Sequence, residues 1–236
     1  MLKHLGLEAQ ILHGMVNPTI TDEALLAMFE RGPSWPRLIW LAQHERAEAT
    51  LWRRISTLPG FTIPEEATQL RSITMVSDFR MEHLRGQVLK ALGTLDEAGL
   101  KAILLKGSGL ALTVYDSYAE RPMIDVDLMA YPGKAKETWE ALRESGWRAL
   151  QMKGLDPEFR EVHHHHMTHL VEPSGTGVTL EVHTGLFVTA GPFALEPEDL
   201  WRDAIEHEVE GRRFYTPSTA HQIIHLSIHF AWSHLM

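Results

Sequence analysis

The stretch RPMIDVDLMA, residues 121–130, limits what this chain can build more than any other. Ile124, Val126 and Leu128 alternate with Asp125 and Asp127, the pattern of a strand, in which successive side chains face opposite ways. Both carboxylates therefore share one face, about 6.6 Å apart along the strand. Like charges so placed repel unless a cation or solvent relieves them. Two readings stand: a solvated strand face, or a pair of hard oxygen ligands for Mg²⁺ or Mn²⁺, ions that keep waters and bind phosphates.

The residues before this strand have a helical texture. TDEALLAMFERG places Thr21 as N-cap with Ala24 at the third helical position and Gly32 as the stop. PRLIWLAQHERAEATLWRRI continues the helical spacing, Pro59, Gly60 and Pro64 break it, and a long amphipathic helix then ends near Gly99. From residue 100 strands and helices alternate: LKAILLKG, then SGLALTVYDSY, then MIDVDLMA, then KAKETWEALRESG closed by Gly146. VHHHHMTHLVE and GVTLEVHTGLF read as strands joined by the turn PSGTG. Helix is expected again from Pro197, in PEDLWRDA and TPSTAHQIIHLSIHFAWSHLM. The expected class is α+β: a helical region over 1–98, a mixed-sheet core with helices over 99–192, and C-terminal helices over 193–236.

Two further segments share the chemistry of the aspartates. In VTLEVH, Val178, Leu180 and Val182 face one way while Thr179, Glu181 and His183 face the other. Pairing beside the first strand would bring Glu181 to Asp125 and Asp127, an expensive cluster without a cation. In LLKGSGLAL, Lys106, Gly107 and Ser108 lie between an apolar strand and a helix, where backbone N–H groups and the helix dipole can cradle phosphate. The spacing is not that of a P-loop.

Composition removes several other classes. There is no cysteine, which excludes disulfides, zinc thiolates and thiol nucleophiles. A net charge of −9 lacks the broad basic footprint of a nucleic-acid binder. The start, MLKHLGLEAQILHG, does not read as a signal peptide, and no apolar run approaches the roughly 18 residues of a membrane span. A soluble, cytoplasmic protein is the expectation.

Taken in order, LLKGSGLAL, YAERPMIDVDLM and TLEVHTGLF resemble the nucleotidyltransferases of the DNA polymerase beta superfamily, specifically nucleotidyltransferase family 5. LAQHERAEATLWRRI, LDEAGLKAILLKG and the HLSIH helix resemble that group too, so the likeness spans most of the chain. The resemblance implies that Gly107 and Ser108 contact a nucleoside triphosphate, ATP being the first expectation. It further implies that Asp125 and Asp127 bind two Mg²⁺ or Mn²⁺ ions and that Glu181 is the third carboxylate. Lys106 or Arg121 would offset phosphate charge. Sixteen residues separate Ser108 from Asp125, a longer spacer than the superfamily's but one resembling this group, and related chains continue past Met236.

Two rival readings rest on other features. His163 to His166, with His183 beside Glu181, could build a transition-metal site of hydrolase type, although a strand would divide the run between two faces. His221, His225 and His229 form a stripe on the last helix, more consistent with packing. Alternatively the fold could serve as a non-catalytic module, with its helical front as a docking surface. The acceptor is not legible; a protein or small-molecule hydroxyl is favoured over RNA by the acidic balance.

Overall fold

The computed structural model describes residues 5–150, 163–174, 177–186 and 195–234. The chain forms two compact units, divided between Met81 and Glu82.

The first unit is helical. It contains α1 (Leu7–Val16), α2 (Asp22–Glu30), α3 (Trp35–His44), α4 (Glu48–Thr57) and the start of α5 (Gln69–Glu97). The Thr21 hydroxyl accepts from the Ala24 amide at 3.3 Å, so the cap falls where the sequence puts it, and Gly32 ends the turn at φ 71°. PRLIWLAQHERAEATLWRRI divides into α3 and α4 at Arg46, which takes φ 52°. Ile11, Leu25, Leu38, Leu51, Ile55 and Leu70 make the core, and Phe29 stacks on Trp35. Arg54 pairs with Asp22 and Arg53 with Asp78.

The second unit holds a seven-stranded mixed sheet flanked by helices. Its strands are β1 (Ala102–Leu104), β2 (Asp125–Ala130), β3 (Arg148–Ala149), β4 (Leu170–Val171), β5 (Thr179–His183), β6 (Ile205–Val209) and β7 (Arg212–Thr216), in the order β3-β4-β5-β2-β1-β7-β6. Its described α-helices after α5 are α6 (Lys106–Thr113), α7 (Ala135–Glu144), α8 (Pro197–Arg202) and α9 (Thr219–His234). β2 is the central strand: it runs antiparallel to β1 and parallel to β5. Val126 and Leu128 are buried, and so are Asp127 and Met129 on the other face, so β2 is covered on both sides.

Two features depart from the sequence expectation. The C-terminal helices are present, but a hairpin, β6 and β7, lies between them, and β7 extends the sheet beside β1 in parallel. The histidine run is not a regular strand. The His165 carbonyl accepts from both Thr184 N and Gly185 N, which interrupts the ladder, and only His166 makes a bridge, to His183. Of the expected strands and turn, Val162, Gly175, Thr176 and Phe187 lie outside the described residues.

α6 approaches the sheet closely enough to require glycine at one position. A Cβ on Gly109 would lie 2.6 Å from the Leu104 carbonyl oxygen, a backbone atom that cannot swing aside. Gly109→Ala is therefore expected to destabilise the second unit by about 1–3 kcal/mol, measured by urea unfolding. No described helix is long and apolar enough to cross a membrane.

Candidate active site

The parallel register of β2 and β5 brings the acidic residues together. Asp125 pairs with Thr179, Asp127 with Glu181 and Met129 with His183. Because the side-chain period along a strand is two, Asp125, Asp127, Glu181 and His183 all project from one face of the sheet. Further along that face, Ile103, Met129 and Leu200 pack into an apolar cluster, with Trp201 against it, so the polar patch is closed off at one end.

Asp127 is the centre of the patch. Its Oδ1 accepts from Lys106 Nζ at 2.9 Å and lies 2.9 Å from His183 Nε2. Burial by itself would push this carboxyl up, but His183 and Lys106 together outweigh it and hold Asp127 well below the usual carboxylate range. Glu181 lies 3.6 Å from His183 Nε2 through one oxygen and 3.1 Å from His169 Nε2 through the other.

Asp125 is in the opposite state. It has no side-chain hydrogen bond or ion pair to another described residue, and its pKa is raised, first by burial and then by the Asp127 charge, with Glu181 adding and Lys106 opposing. A half-buried carboxylate without a partner among the described residues, beside two others, is what a hard dication would relieve. The donor set therefore fits Mg²⁺ or Mn²⁺.

The turn between β1 and α6 stands against this patch. The Leu105 amide donates to the Asp127 carbonyl at 2.9 Å, which fixes the turn to β2. Lys106 takes φ 48°, an unusual conformation for a residue with a side chain, and so presents its amine to Asp127. The first-turn N–H groups of α6 have no partners inside the helix. Gly107 lies against Met123. Ser108 is buried, and its hydroxyl donates to the Leu105 carbonyl at 2.8 Å and lies 3.3 Å from the Asp127 carbonyl. Its side chain ties the turn together. Arg121 is not gathered with these groups: it is exposed, and its guanidinium donates to the Pro122 carbonyl at 3.4 Å.

Histidines contribute more than the sequence suggested. His183 is bonded to Asp127, and His169, which the sequence did not single out, reaches Glu181. Its signal lay only in the three-residue step from His166. His225 on α9 is buried, and its pKa falls to about 4, through burial first and then the charges of Lys106, His183 and His229. A histidine kept neutral by the fold contributes stability above its unfolded pKa of about 6.5 that is lost as pH falls toward 4. Between pH 7 and pH 5 the unfolding free energy is thus expected to drop by roughly 2 kcal/mol on account of His225. In His225→Leu, urea unfolding at the two pH values should show that portion of the drop removed.

A family model described as an uncharacterised nucleotidyltransferase matches residues 31–236. Among solved structures, a candidate nucleotidyltransferase from Thermotoga maritima is similar at 18% identity, over 62% of this chain and 84% of that one, with a TM-score of 0.41. No match is found among curated proteins. With the family model matching all but the first thirty residues, the chain belongs to this family of nucleotidyltransferases.

Proposed function

We propose that the protein transfers a nucleoside monophosphate from a nucleoside triphosphate, ATP in the first instance, to a hydroxyl acceptor, in a reaction dependent on Mg²⁺ or Mn²⁺. The observation that carries this reading is the pairing of Asp127 with Glu181 in parallel register, with Asp125 two residues ahead on the same face. Asp125, Asp127 and Glu181 would hold the divalent ions, which supply charge neutralisation of the triphosphate and a lowered pKa for the acceptor hydroxyl.

The chain's own groups have distinct tasks in this reading. Lys106, held against Asp127, offers an ammonium to phosphate oxygens above the turn. The N–H groups opening α6, with Gly107 among them, add backbone donors and the positive end of a helix dipole. His183 keeps Asp127 ionised and oriented. Glu181 is the carboxylate closest in role to a base, able to take a proton from an acceptor hydroxyl. Acceptors compatible with an acidic chain are a protein side chain or a small molecule before an RNA end. Asp127 and His183 are both deeply buried, so this end of the site is set before substrate arrives.

The test is incubation of the full chain with α-labelled nucleoside triphosphates, Mg²⁺ and a cell extract, followed by separation of macromolecules from metabolites. Label moving to one class of acceptor, and only with the divalent ion, supports transfer. The reading fails if calorimetry finds no metal-dependent binding of any nucleoside triphosphate.

A further inference from the structure

We infer that His166, His169 and Glu181 form a second metal site, one for a transition-metal dication such as Zn²⁺, sharing Glu181 with the nucleotide site. One ring nitrogen from each histidine and one Glu181 oxygen lie within 4.8 Å of one another. The His169 Nε2 is 3.1 Å from Glu181 Oε1, and the rings of His166 and His169 are 5.0 Å apart, centre to centre.

The backbone brings these groups together from two directions. Glu181 projects from β5, while His166 is bridged to His183 and the next amide, Met167 N, donates to the Val182 carbonyl at 2.8 Å. Three residues later the chain enters β4, which pairs with β5 through Leu170 and Leu180. The segment is thus held at both ends against β5, with His166 at the first anchor and His169 just before the second.

The tautomer of His166 is also set. Its Nδ1 lies 2.8 Å from the Met167 carbonyl oxygen. A carbonyl only accepts, so Nδ1 carries the hydrogen and the lone pair belongs to Nε2. An imidazole whose far nitrogen donates to a carbonyl is the usual support of a metal-ligating histidine.

Donor chemistry separates this site from its neighbour. Two imidazoles and one carboxylate suit Zn²⁺ and its first-row relatives, whereas Mg²⁺ prefers oxygen alone. Three protein ligands leave a fourth position open, and all three side chains are only half-buried, so the ion can enter from solvent and exchange.

Sharing Glu181 has a consequence that rests on the proposed transferase activity. An ion held by the two histidines takes a carboxylate from the Asp125 and Asp127 cluster, so zinc bound there would inhibit transfer. Occupancy itself does not depend on that activity.

The test titrates Co²⁺ alone into the untagged, chelator-treated full chain, read by visible ligand-field absorption, with Zn²⁺ as competitor. One equivalent should bind with the strong bands of a four-coordinate site and be displaced by zinc. His166→Ala and His169→Ala should each weaken binding in the four-coordinate bands at least tenfold, while the pair His163→Ala with His164→Ala leaves it unchanged. Circular dichroism confirms that each variant is folded. The inference is overturned if the His166→Ala, His169→Ala double variant still binds cobalt as the parent does, or if the parent binds none. Cobalt binding, together with no nucleotide transfer by the chelator-treated chain in Mg²⁺ alone, would leave this site standing and remove the transferase reading. Transfer without cobalt binding would do the reverse.

Discussion

Asp127→Asn is expected to lower nucleotide transfer by on the order of 10³-fold, the scale of losing a preorganised charge at a reacting centre. The substitution keeps the shape and an acceptor oxygen for Lys106 and His183, both now 2.9 Å from Asp127 Oδ1, but removes the negative charge. Activity would therefore fall through loss of a metal ligand rather than through collapse of the site. Folding does change by a calculable direction. Because the folded pKa of Asp127 is depressed, its ionised form contributes stability above its unfolded value near 4, and that contribution is lost as pH falls below it. At neutral pH the variant lacks this contribution, so its urea midpoint should be lower than the parent's, while at pH 3 the gap should narrow. Glu181→Gln serves as the companion, since it removes the paired carboxylate on β5 without touching the Asp127 contacts. Transfer retained by both variants at parental rates would remove the two-carboxylate assignment.

How much of this was legible in the sequence follows from what a local pattern can carry. The alternation in IDVDL and TLEVH gives the facing of each side chain, because a strand's period is fixed by its backbone. It says nothing of which strand lies beside which. That Asp127 sits opposite Glu181 rather than Thr179 or His183 is decided by a pairing across more than fifty residues, set by packing of both covered faces of β2. The hairpin of β6 and β7 is hard to read from the sequence for a different reason. IEHEVEGRRFYT alternates, and Glu210 and Gly211 both take positive φ, as a two-residue hairpin turn demands. Its charges mask an alternation that is otherwise plain. Ser108 shows a third limit: a serine beside a glycine turn looks like a phosphate donor, yet its hydroxyl is used by two backbone carbonyls. Where a hydroxyl rotates is settled by the nearest acceptor in the fold, which a sequence does not display. Arg121 is a fourth case, since the segment leading into β2 turns its guanidinium to the neighbouring Pro122 carbonyl.

Lys106 allows charge and backbone strain to be separated in one position. The residue donates to Asp127 at 2.9 Å, and it holds a φ of 48° where it does so. Lys106→Met keeps a side chain of similar length and the same strained φ, but no charge. Hydrogen bonds to charged groups contribute about 1.5–3 kcal/mol, so kcat/KM for the triphosphate should fall about 10- to 150-fold. Lys106→Gly removes the charge as well, yet glycine adopts positive φ without a Cβ penalty. Relief of that penalty, about 1 kcal/mol, should make the glycine variant the more stable of the two in urea unfolding. Both variants also take the ammonium away from Asp127, so its pKa should rise toward the ordinary carboxylate range in each. The combined expectation is equal loss of transfer with unequal stability. If transfer instead follows stability, falling in the methionine variant and surviving in the glycine one, then the lysine shapes the turn and its ammonium takes no part in gripping phosphate.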